Sequence, residues 1–161
     1  MTSQTVYSDV EWGLLVGLPQ SVVVAVTSAE ADGGRRTQAE GLAGIEAIAA
    51  GRDSGSALVH DVATEVVAQT GDPERGEAPP PIEFTDRAAG LAGVLDRARE
   101  ASKLLSAKAA PGEAAAYRHW LMTIAEQVAA AAKSGGFLGI GGDRVSPAER
   151  KFLDDLAAVL I

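Results

Sequence analysis

Alanine occupies 31 of the 161 positions, and the stretches it dominates are divided by helix stops and helix starts, not by strand-like alternation. Alanine is the best helix former, so these stretches predict an all-α chain. Asp32-Gly33-Gly34 closes a first helical stretch that opens after Ser8 and carries Trp12, Leu14, Leu15 and Val16. Thr37-Gln38-Ala39-Glu40 opens a second: a capping box pairs a Ser or Thr hydroxyl with a Glu three residues on. That helix shows Leu42, Ile45 and Ile48 at helical spacing and ends near Gly51. A third follows Ser54 or Ser56, with Leu58, Val62 and Val66 as its stripe and Gly71 as its stop. Residues 71–84 carry three consecutive prolines and predict an extended linker. Thr85 then caps a long helix with Leu91, Val94, Leu95, Ala98, Ala101 and Leu105 on one face. Pro111 suits the first turn of a fifth helix bearing Tyr117, Trp120, Leu121, Ile124 and Val128. Ser146-Pro147-Ala148-Glu149 is a second capping box, and it opens a last helix with Phe152, Leu153, Leu156, Val159 and Leu160. The expected architecture is one helical bundle of about six helices spanning residues 1–161, with the Pro-rich linker at 71–84 inside it.

The most apolar stretch, Leu14 to Ala29, has the look of a signal or a membrane span. Only acids, Asp9 and Glu11, precede it, whereas a secretory signal starts positive. Pro19, Gln20 and Ser21 interrupt it, and spanning takes about 20 predominantly apolar residues. A buried core helix is the reading that follows, with a kink or restart at Pro19 and the cytoplasm as the expected compartment. The β-branched run Val22-Val23-Val24 could form a buried strand, but no second strand exists to pair with it.

Charge and composition exclude several functions. With 22 acidic and 14 basic residues the net charge is −8. Nucleic-acid binders gather Lys and Arg on one face, whereas here the basic residues are scattered among acids and aromatics are only 4%. Cysteine is absent, which removes thiolate metal sites and cysteine nucleophiles. Two histidines, His60 and His119, supply little for a metal site or a triad. His60 shares a helical patch with Asp61, Thr64 and Glu65, which reads as a solvated face. No nucleophile–base pair is visible, so the chain reads as a non-enzyme.

The two halves resemble each other. A shift of 108 residues puts Trp12 on Trp120, Gly33-Gly34 on Gly141-Gly142 and Arg36 on Arg144. One inserted residue, Val145, then puts Thr37 on Ser146 and Glu40 on Glu149. Each unit is a helix with a tryptophan, a glycine-rich loop, a capping box and a second helix, which predicts two similar helix–loop–helix units packed against each other.

The segment Ala29 to Glu40 (AEADGGRRTQAE) resembles the helix junction of the tellurite-resistance TerB-like helical domains: a helix ending in Ala-Asp-Gly, a short loop, then a Ser/Thr cap with a glutamate inside the next helix. Residues 133–149 follow the same outline. The resemblance implies an all-helical bundle with internal two-fold similarity, acting as a stress-linked interaction module. It also implies weak divalent-metal binding, calcium for example, through Glu30, Asp32 and Glu40. The second unit answers with Asp143 and Glu149 only, and its loop is apolar. An EF-hand is excluded: with Glu40 as its twelfth residue, the first, third and fifth would be Ala29, Ala31 and Gly33.

The glycine-rich loop Gly135 to Val145 enters a helix N-terminus, where unpaired N–H groups attract anions. No strand precedes it and no Gly-Lys-Ser/Thr closes it, so it is not a P-loop. Phe137, Leu138 and Ile140 would plug the bundle end. Alternatively Phe137 and Leu138, with Arg144 adding charge, would hold a small hydrophobic or anionic ligand or a partner. The leading expectation is thus an interaction module with a protein partner or self-association, and the alternative is a helical domain that binds a small molecule near residues 135–145.

Overall fold

The computed structural model describes residues 3–29, 34–77, 84–134 and 147–160, with the side chains of 3, 34–38 and 132–134 left aside. Six α-helices fill these segments: α1 (Asp9–Ala29), α2 (Gly34–Ala50), α3 (Ala57–Thr70), α4 (Arg87–Lys108), α5 (Pro111–Ser134) and α6 (Pro147–Val159). No strand occurs among the described residues. The chain is therefore all-α, and Val22–Val24 belong to a helix.

α1 is the central helix and packs against each of the other five. Leu15, Leu18, Val22, Ala25 and Val26 are buried along it. They meet Val94, Ala98, Ala101 and Leu105 of α4, Leu121, Ile124 and Val128 of α5, and Phe152 and Leu156 of α6 in one continuous core. The stripes of α3, α4, α5 and α6 fall where helical spacing places them, with Leu91, Leu95, Leu153 and Val159 only half-buried at their edges. Leu42 departs from the expected stripe of α2: it is exposed, and Ile48 and Ala47 carry the buried face. Gly44 matters to that packing, because a Cβ there would lie 2.6 Å from both methyl carbons of Val23. Its missing side chain lets α2 lie close against α1.

Pro19 does not break α1. A proline removes the N–H that would bond the carbonyl four residues back, here that of Leu15. The buried Tyr117 hydroxyl donates to that carbonyl instead, at 2.7 Å. Burial holds the Tyr117 phenol well above its usual pKa, so it remains a donor at ordinary pH. The orphaned acceptor inside α1 thereby becomes the point where α5 grips it.

Two helix starts differ from the expectation. α2 begins at Gly34, so Thr37 lies inside its first turns and cannot be the residue that caps it, and Glu40 sits a turn deeper than a capping box allows. The cap of α4 is Asp86, not Thr85: its carboxylate accepts from the Ala89 N–H at 3.1 Å. Ser8 caps α1 as expected, in a reciprocal box in which Ser8 Oγ accepts from Glu11 N and Glu11 Oε2 accepts from Ser8 N. Within the segment read as linker, Pro73–Arg75 form a 3-10 turn capped by Asp72. Arg52 holds that turn through a bidentate pair to Asp72 at 3.0 and 3.3 Å.

The start of α3 is tied to α5. Ser56 Oγ accepts from Val59 N at 3.2 Å, and its hydroxyl donates to Glu113 Oε2 at 2.6 Å. The same carboxylate oxygen accepts from Leu58 N at 2.8 Å. A carboxylate at a helix N-terminus is favoured by the exposed N–H groups. The bond from Ser56, then that from Leu58, hold the Glu113 carboxyl below the usual glutamate range. A depressed folded-state value contributes stability above the unfolded value, about pH 4.3, and that stability is lost as pH falls through the folded value. Glu113→Gln is accordingly expected to flatten the acid limb of the stability profile below about pH 4.3, read by urea melts across pH 3–7. An acid limb unchanged by the substitution would remove Glu113 from this role.

Candidate interaction surface

α1 is apolar nearly all round, and between Glu11 and Glu30 it carries no charged residue. Among the described residues it is the one helix with the length and apolarity to cross a membrane, by composition alone, at a mean hydropathy of 1.5 over its most apolar window. Most of that apolar surface is turned into the core; one stripe is not. Val10, Gly13, Gly17 and Ser21 recur at helical spacing on a single face. Val10 is 84% exposed, Gly13 and Gly17 are exposed, and Val6 is exposed just ahead of the helix. Nothing lies within 4 Å of where a Cβ would stand at Gly13 or Gly17. Along the stripe Gly17, Gln20, Ser21 and Val24 form a shallow groove of about 150 Å³ with Phe84, whose ring rests on Gly90 of α4. The solvent side of α4 is ordinary by comparison, with Arg97, Arg99, Glu100 and Lys103 exposed.

The expected metal ligands are placed unequally. Glu30 and Asp32 lie outside the described residues. Glu40 is described and is 2% exposed. Its counterpart in the second unit, Glu149, is 1% exposed, and the paired tryptophans Trp12 and Trp120 are each 7% exposed. Positions matched by the internal comparison thus share their burial, although Glu40 sits inside α2 and Glu149 in the first turn of α6. Among the described residues no three His, Asp or Glu side chains come together as metal ligands. Glu40 is one carboxylate, where calcium takes six to eight oxygens, so the described residues do not by themselves make a metal site.

Phe137, Leu138 and Arg144, the expected ligand or partner residues, also lie outside the described residues. Beside that segment, Pro147, Arg150, Lys151, Asp154 and Asp155 line an open depression on α6. Its charges are mixed, and Lys151 pairs with Asp155 at 2.6 Å. His60 is exposed, as its patch predicts, and its Nδ1 donates to the Arg52 carbonyl at 2.6 Å. That bond fixes the ring against the 3-10 turn Gly51–Asp53. His119 is exposed on α5. In the sequence Gly13, Gly17 and Ser21 read as ordinary members of a core helix, so nothing local marks the uncharged stripe. Comparison with models of known families, with curated proteins and with solved structures finds no match.

Proposed function

We propose that this chain is a non-enzymatic, cytoplasmic interaction module of the stress-linked kind that its TerB-like helix junction implies, and that it docks a protein through the uncharged face of α1. The observation that carries the reading is the exposed row Val10, Gly13, Gly17 on a helix with no charge between Glu11 and Glu30. Water-facing helix surfaces normally carry charged and polar residues. Exposed glycines inside a helix cost about 1 kcal/mol each relative to alanine, and they allow another backbone to approach closely. Gly17→Arg tests the reading, because no neighbouring atom stands in the way of a side chain there. The variant is expected to keep the parent's melting temperature and to lose the larger complex that the chain forms at native abundance, measured by gel filtration of gently lysed cells. Equal elution of variant and parent would contradict docking through this face.

Weak divalent-metal binding at Glu30, Asp32 and Glu40 is the second part of the proposal, and it rests on the junction Ala29 to Glu40. A ligand that binds only the folded chain raises its melting temperature by mass action. Millimolar calcium is expected to raise the melting temperature, and Asp32→Asn to abolish that rise while leaving the metal-free stability nearly unchanged. No shift in the parent protein would end the metal proposal and leave the docking proposal standing.

A further inference from the structure

We draw no further inference here: the strongest candidate, the shallow groove on the solvent side of α1 between Gly17, Ser21, Val24 and Phe84, belongs to the surface already described, and nothing in the structure shows what covers it.

Discussion

Trp120→Ala is expected to cost about 3–5 kcal/mol of folding stability, the range for deleting a buried aromatic ring. The ring is 7% exposed and sits where α5 meets α2 and α3. It lies so close over Gly51 that a Cβ there would stand 2.8 Å from the indole, and 2.9 Å from the Ala63 methyl. No larger residue fits at Gly51, and removing the ring leaves a void that its rigid neighbours cannot fill. The indole Nε1 also donates, at a long 3.4 Å, to the Ala47 carbonyl, and the ring meets Tyr117 edge-on at 5.9 Å between centroids. Edge-to-face pairs of this kind add about 0.5–1.5 kcal/mol beyond area burial. Urea denaturation checks the figure: the midpoint should fall while the slope stays constant. A loss below about 1 kcal/mol, well short of the range for buried aromatics, would mean that α5 does not pack through this ring.

Tyr117→Phe is expected to cost about 1–3 kcal/mol, the penalty for leaving a buried acceptor unsatisfied. The acceptor is the Leu15 carbonyl, and it needs Tyr117 only because Pro19 has no N–H to offer. A double-mutant cycle isolates that dependence. In a Pro19→Ala background the helix can make its own bond to Leu15, so removing the Tyr117 hydroxyl should cost markedly less. The effect of proline on the unfolded chain is absent from both members of that background and cancels. An equal cost in the parent and in the Pro19→Ala background would show that the hydroxyl and the proline are not coupled.

Helical class and most core stripes were legible because both rest on local rules: alanine content, stop residues and spacing. Leu121, Ile124, Val128 and Leu156 are buried where periodicity puts them. The departures mostly concern groups whose partners are distant in the chain. A kink or restart was the local expectation at Pro19; α1 does not restart there, and the donor that meets the freed Leu15 carbonyl comes from 102 residues away. Nothing near Ser56 announces that Glu113 completes its cap from 57 residues away. Thr85 and Asp86 are both good caps, and the charged acceptor is the one the helix uses. At the candidate sites the limit is the same. Glu40 reads in sequence as a capping-box glutamate and a candidate metal ligand at the start of α2 but is buried a turn deeper, because its exposure depends on which helices pack around it. The run from Leu14 to Ala29 reads as a core helix, and that is right for most of its circumference. Which stripe stays uncovered is decided by the five helices around it, and uniform apolarity gives no sign of it.

The docking face is best tested by a photo-crosslinking residue placed at position 17 and, as a control, at position 100 on the charged side of α4. Both positions face solvent, so both probes sample the same cell contents. Docking through α1 predicts a discrete adduct of defined mass from position 17 and none from position 100. Adducts of equal yield from both positions, or none from position 17, would contradict it.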